Sequence, residues 1–404
     1  MQIASKQISV NSFTYALIIS LNFLTFVMGE MFGTGGMAII LSVIVACLLT
    51  NVFYAQKLKF SMRWLAMVSL LFVYYHLSQH TDLGNTEFYC YIIIPCIAAL
   101  YEVDTEKMLR YVTCFSFILL ALITRILPQL SRAEGVYDAE QGVMGLSYAI
   151  LPIVLAGLVH LIFYRKKSNL FLKLCYAIDI VYTVILIVHS NRGVVLTFLI
   201  AVMFFYIKKF GSRVYKRTSI FRVIMVMILT VLIINNYIPI LEWLNNILLG
   251  SDIEVDFVQK TLRMQTDVSN GRNGITEYVV ENIFQSPIWG HGISTIYYNS
   301  NGTIIYPHNF ILQLFYDGGI LLAIPVLFFV VKMVWNAIWY ENNDKTVFMT
   351  FFCLICLPKM FFSTDIWKNP SYWLLLFNYI KFYTTYMESG ENENSVFSGE
   401  QVLQ

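Results

Sequence analysis

Pro307-His308-Asn309-Phe310-Ile311-Leu312-Gln313-Leu314-Phe315-Tyr316-Asp317-Gly318-Gly319 is the stretch on which the reading of this chain turns. A polar segment ends on a proline, a histidine and an asparagine. An apolar run then begins, breaks at an acid and two glycines, and resumes to about residue 336. The expectation is a long span that starts as a half-helix before Gly318-Gly319. Asp317 lies nine residues past His308, roughly 14 Å along a helix at 1.5 Å per residue. An acid at that depth should face the protein interior. It either pairs with a basic group or caps the break.

Working outward, the polar segment before this run reaches back to about residue 241 and is the only long one between apolar stretches. Of the 404 residues, 58% are hydrophobic and 13% charged. A soluble domain carries about 25% charged residues, so this deficit, with apolar runs near 20 residues, points to a membrane protein. Lipid offers no hydrogen-bond partners, and the runs are continuous rather than alternating, so helices are expected and not a barrel. Apolar runs fall near 13–29, 35–54, 63–79, 88–101, 109–128, 144–163, 170–189, 193–208, 220–240, 308–336, 344–362 and 371–388. The expected fold is therefore an all-α polytopic membrane protein of about 12 transmembrane helices. The first run lacks the short core and small-residue cleavage site of a removable signal peptide.

Charge orients the bundle. With the N-terminus cytoplasmic, 19 of the 27 Lys and Arg residues fall on inner segments, most densely at 208–222. The bias places both termini inside and the 241–307 loop outside. The organisation expected is nine helices over 1–240, the large extracytoplasmic loop over 241–307, three helices over 308–388 and a disordered cytoplasmic tail over 389–404. Within the loop, Ile253, Val255, Val258 and Leu262 approximate one helical face, and Ile275, Tyr278, Val279 and Ile283 another. Both read as short amphipathic helices at the membrane interface. Asn270-Gly271 marks a turn between them, Arg272 opens the second, and Pro287 and Gly290 end it.

Several outer residues carry chemistry. Arg192 sits in the tight turn Ser190-Asn191-Arg192-Gly193, either as a snorkelling arginine or as a fixed anion ligand, since its planar fork grips two oxygens and never deprotonates. Arg272 is either a solvated loop charge near Glu277 or Glu281, or an anion ligand at a helix start. Arg263 reads better as a solvated face residue. His308 is an interfacial histidine, a general base or a hydrogen-bond donor; His189 and His291 are weaker candidates. The seven cysteines all lie in apolar runs. Cys353-Leu354-Ile355-Cys356 has metal-like spacing but no second pair beside it. No metal set, cofactor motif or nucleic-acid signal is visible. Gly33-Thr34-Gly35-Gly36 follows no strand, so it is a turn and not a nucleotide loop.

In this order the elements resemble the O-antigen polymerase and ligase superfamily of bacterial surface-polysaccharide assembly. Three signatures carry the resemblance: Ser190-x-Arg192-Gly193 opening a span, with Leu196 completing an Arg-x-x-x-Leu pattern; Gly271-Arg272, a helix and then Ser286-Pro287-Ile288-Trp289-Gly290; and His308-Asn309, nine residues, then Gly319. It covers roughly residues 180–335. Leu322 stands where the family often has a small residue, and Ile275 or Tyr278 where it has tryptophan. Arg263 to Gly274 also fits a polymerase-type spacing of little weight. The resemblance implies a glycosyltransferase of the C type whose donor is an oligosaccharide on undecaprenyl pyrophosphate. It implies metal-independent inverting transfer on the outer face of the bacterial cytoplasmic membrane. Arg192 and Arg272 would hold the pyrophosphate, with Asn309 and Arg263 near the substrate, and His308 would orient or deprotonate the acceptor hydroxyl. A repeat-unit polymerase, working with a chain-length regulator, is the favoured reading. A ligase using lipid A-core as acceptor is the second. A transporter of the lipid-linked sugar is the third, disfavoured because the cations sit at the outer surface and not near the midplane.

Overall fold

In the computed structural model the described residues are 2–32, 36–54, 61–78, 80–124, 126, 143–189, 192–211, 239, 242–243, 245–247, 272–339, 343–362 and 365–381. Their regular structure is helical throughout. The helices are α1 (Gln2–Ile19), α2 (Leu21–Phe32), α3 (Gly36–Tyr54), α4 (Met62–Leu77), α5 (Asn85–Phe88), α6 (Ile94–Ala99), α7 (Thr105–Cys114) and α8 (Ser116–Ala121). They continue as α9 (Val143–Tyr164), α10 (Leu170–His189), α11 (Arg192–Gly211), α12 (Arg272–Gln285), α13 (Ile296–Asn299), α14 (Phe310–Trp339) and α15 (Asp344–Phe362). A last helix, α16, covers residues 370–381. Among the described residues four helices, α3, α9, α10 and α14, are long and apolar enough to cross a membrane, or five if the bent pair α1–α2 is one span. The chain is an all-helical, multi-pass membrane protein.

Two expected spans differ in shape from straight rods. The run at 13–29 divides at Ser20, where α1 and α2 meet at 69°. Both halves thereby pack on α3, and α2 also reaches α9. The run at 88–101 carries a π-helical segment, Tyr89–Ile93, between α5 and α6. All of the span expected at 220–240 but residue 239, the helical face from Ile253 to Leu262, Asn270-Gly271 and the tail lie outside the described residues.

Polar pairs hold the bundle where lipid offers no alternative partner. Asn51 donates to Asn11 at 3.1 Å, and Asn11 donates to the Glu102 carbonyl at 3.0 Å. Ser116 donates to the buried Asp179 carboxylate at 2.6 Å, and α9 carries Gly157 opposite it, where any Cβ would collide with that carboxylate. Asn378 donates to the Tyr15 hydroxyl.

The connections gather at two ends. At one, Thr105 donates to the Asp344 carbonyl at 2.9 Å, Tyr164 to the Asp344 carboxylate at 2.7 Å, and Lys381 to the Ala99 and Tyr101 carbonyls at 2.9 and 2.8 Å. At the other, Ile293 donates to Ser78 at 2.7 Å, Asp82 N–H to the Ser294 carbonyl at 2.8 Å, and Lys368 pairs with Asp82 at 3.4 Å. The first set are connections that the charge count puts inside, and the second are those it puts outside. Segments distant in sequence thus meet at common ends of the bundle.

Candidate functional site

The site is built around a break in α14. Gly319 has φ 55° and ψ −159°, a conformation open essentially to glycine alone. The break strips helical partners from the carbonyls of Tyr316, Asp317 and Gly318 and from the N–H groups of Ile320 and Leu321. Inside a membrane such groups must be satisfied by protein, and here the turn after α12 does so. His291 N–H donates to the Tyr316 carbonyl and Gly292 N–H to that of Asp317, both at 2.8 Å. In return Ile320 N–H donates to the Pro287 carbonyl at 2.9 Å and Leu321 N–H to that of Ile288 at 3.3 Å. Tyr74 supplies the remaining partner, donating to the Gly318 carbonyl at 3.2 Å.

Backbone meets backbone at two glycines. Gly290 has φ +70°, and a Cβ there would lie 2.5 Å from the Asp317 carbonyl oxygen and from Gly319 N. A Cβ on Gly319 would run into the Ile288 carbonyl. The final glycine of the Ser286–Gly290 signature and the final glycine of the His308–Gly319 signature are therefore the two halves of one clasp. Leu322, where a small residue was expected, is fully buried and lies over Gly318, which leaves it the space.

Side chains brace the clasp. Asp317 is buried and its Oδ2 accepts from the Trp367 indole at 2.5 Å, so its partner is an indole and not the basic group considered above. Gln313 donates to Asp365 at 2.5 Å and accepts from Ile366 N–H at 3.1 Å. Burial raises the Asp365 carboxyl above the ordinary carboxylate range, against the hydrogen bonds from Trp367 N–H and Gln313. His291 Nε2–H donates to the Asn282 carbonyl at 2.8 Å, and the ring stacks on Tyr316 at 4.7 Å, which gives this weaker candidate a structural task. Tyr74, Ser78, Gln313 and Trp367 carried no signal in the sequence, because each acquires its partner across a long separation in the chain.

The amphipathic face expected for α12 is present. Val279 packs with Ile296, Ile304 and Tyr316, and Ile275, Tyr278, Ile283 and Leu312 surround that cluster. Counted back from the clasp, α12 runs roughly 20 Å to Arg272 and the first half of α14 roughly 17 Å to His308. Ile275, one turn from Arg272, and Leu312, one turn from His308, touch the same cluster. The Arg272 and His308 ends thus leave the clasp together.

Arg192 is the first residue of α11, which packs against α14 and α15. Neither α11 nor α12 has an acidic residue in its first turn. An arginine at the positive end of a helix dipole does nothing for the helix, but it adds to an anion's attraction. His308 is half-buried, has φ +55°, and its ring lies 4.2 Å from that of Tyr306. Asn309 caps α14, its Oδ1 accepting from Ile311 N–H at 3.0 Å and Leu312 N–H at 3.4 Å. The cap predicts that Asn309→Ala lowers stability by about 1 kcal/mol and that Asn309→Ser restores it in thermal unfolding. A ligand role for the Asn309 amide would instead leave activity low in both variants. Arg263 lies outside the described residues.

The fold defines a helical membrane protein with a broken helix clasped at one end of its bundle. Residues 177–327 match the family model of the O-antigen ligase, consistent with the O-antigen polymerase and ligase superfamily. Members of that family transfer glycosyl groups. The matched stretch runs from α10 through the clasp and contains Arg192, Arg272 and His308. No curated protein and no solved structure matches the chain.

Proposed function

We propose that this protein polymerises oligosaccharide repeat units carried on undecaprenyl pyrophosphate, at the outer face of the bacterial cytoplasmic membrane. The observation that supports it is the convergence of the three signature segments on α14, with the Arg272 and His308 ends of their helices side by side. In the proposed reaction an acceptor hydroxyl attacks the anomeric carbon, the glycosidic C–O bond to pyrophosphate breaks with inversion, and the proton leaves through His308 or water. Negative charge grows on the departing pyrophosphate. Arg192 and Arg272, held at helix starts, meet that charge already oriented, which is where such contacts lower a barrier. Holding two lipid-linked chains in one site adds proximity. About 12 spans, cytoplasmic termini, an extracytoplasmic 241–307 loop and a chain-length regulator as partner complete the proposal.

The second reading, a ligase delivering the glycan to lipid A-core, is favoured by the description of the matched family. A gel profile of lipopolysaccharide from a strain deleted for the gene separates the two. Core bearing a single repeat unit is the result expected for a lost polymerase. Bare core, with polymer accumulating on the lipid carrier, would replace it with the ligase. An unchanged ladder would sink both.

A further inference from the structure

The bend between α1 and α2 leaves a small cleft, partly open to the surroundings. Lys359, Tyr148, Asn22, Asn369 and Ser371 supply its polar lining, and Ile18 an apolar wall. Lys359 Nζ lies 5.5 Å from the centroid of the Tyr148 ring. No ion pair to a carboxylate is formed by this ammonium among the described residues; the pairs Lys107–Asp104 and Lys368–Asp82 lie away from it. Asn369 is 5% exposed, and its Nδ2 is buried with no hydrogen-bond partner among the described residues. Ser371 is buried, and Asn22 stands exposed at the mouth.

A cation and an unpartnered amide donor sharing one cleft, with no acid between them, form a receptor for an oxyanion. A half-buried ammonium gains from a counter-charge, and an orphan amide is costly without an acceptor. One phosphoryl oxygen set satisfies both. The location narrows the occupant. Lys359 is three residues before the end of α15, at an end that the charge count puts outside, and a lysine at a membrane surface meets lipid phosphate. The apolar wall suits the first methylenes of a chain. The cleft also adjoins the site above: the ring of Phe361, two residues after Lys359, meets that of Phe310 at 4.8 Å, directly after His308-Asn309.

We propose that Lys359 and Asn369 seat the phosphoryl group of a lipid, entering at the notch where α1 and α2 bend apart. The lipid is either a polyprenyl phosphate, an assignment that rests on the glycosyl-transfer reading, or a phospholipid of the bilayer. Both present the same chemistry, and binding measurements separate them. Full-length protein in nanodiscs of neutral lipid is titrated with undecaprenyl phosphate, with phosphatidylglycerol and with diacylglycerol as an uncharged control. Lys359→Met is expected to weaken phosphorylated-lipid binding on the order of tenfold or more, the usual size of a charge-assisted contact. Asn369→Ala should weaken it less, and diacylglycerol should be indifferent to both.

Lys359→Met removes an uncompensated charge and keeps the side-chain length, so its unfolding temperature should stay level or rise. A Lys359-dependent preference for the polyprenyl phosphate assigns the seat to the donor lipid. Equal dependence for phosphatidylglycerol assigns it to the bilayer. Wild-type affinity for both lipids in a folded Lys359→Met protein overturns the site. Because binding is read without turnover, that failure is distinct from an unchanged polysaccharide ladder, which would sink only the glycosyl-transfer reading.

Discussion

Gly319→Ala is expected to destabilise the protein by about 3 kcal/mol or more and to abolish polysaccharide synthesis. Two costs combine. The backbone conformation at φ 55°, ψ −159° is one that an L-residue reaches only with strain of order 1–3 kcal/mol. The new methyl also meets the Ile288 carbonyl, which is backbone and cannot rotate away. The turn must then lift from α14, exposing up to four paired groups, each costing about 1–3 kcal/mol if left buried and unmade. Gly290→Ala should behave alike, since its Cβ would sit 2.5 Å from the Asp317 oxygen and φ is +70°. Gly274→Ala is the control: a Cβ there meets nothing within 4 Å, and in a helix the change is neutral or stabilising by up to about 1 kcal/mol. Thermal unfolding in detergent reads all three. Wild-type stability in Gly319→Ala would show that the clasp is not what holds the broken helix.

Arg192→Ala, Arg272→Ala and His308→Ala should each lower the transfer rate by about 10²–10³, while each protein still inserts and unfolds near the wild-type temperature. The check is synthesis of polymer from lipid-linked repeat units by membranes containing equal amounts of each variant. Normal synthesis in all three would discard the site assignment even with the family match standing. His308 has a sharper test, because its two candidate roles part under substitution. Glutamine keeps a hydrogen-bond donor but takes up no proton near neutral pH. If His308→Gln retains much of the rate with a flat pH profile, the imidazole is a hydrogen-bond donor to substrate. If it is as poor as His308→Ala, and the wild-type rate falls as pH drops through the imidazole range, the ring is the base. Asparagine tolerates φ +55° better than alanine, so His308→Asn separates backbone strain from lost chemistry.

Local and periodic features were legible in the chain. Apolar runs over 35–54, 144–163 and 170–189 became α3, α9 and α10 nearly residue for residue, because a helix in lipid satisfies its own backbone and needs only length and composition. The half-helix ending at Gly318-Gly319, the start of α12 at Arg272, the start of α11 at Arg192 and the buried face of α12 were legible for the same reason. Turn residues and the 3.6-residue period act over a few positions.

What the tertiary structure alone decided is which of these pieces meet. Nothing in Ser286-Pro287-Ile288-Trp289-Gly290 announces that its carbonyls receive the N–H groups of a helix broken thirty residues later. Nor does Asp317 announce that its partner is Trp367. The bend at Ser20 was hidden because a run of apolar residues is equally compatible with a straight or a bent helix. Lys359 was one charge in the Lys and Arg count and Asn369 carried no signal until the bend at Ser20 formed the cleft that both line. Hydropathy and helical period, which set the elements, are short-range properties written in the sequence. The clasp and the cleft depend on close approach between distant backbones and on buried groups left to find partners, and those exist only once the helices have packed.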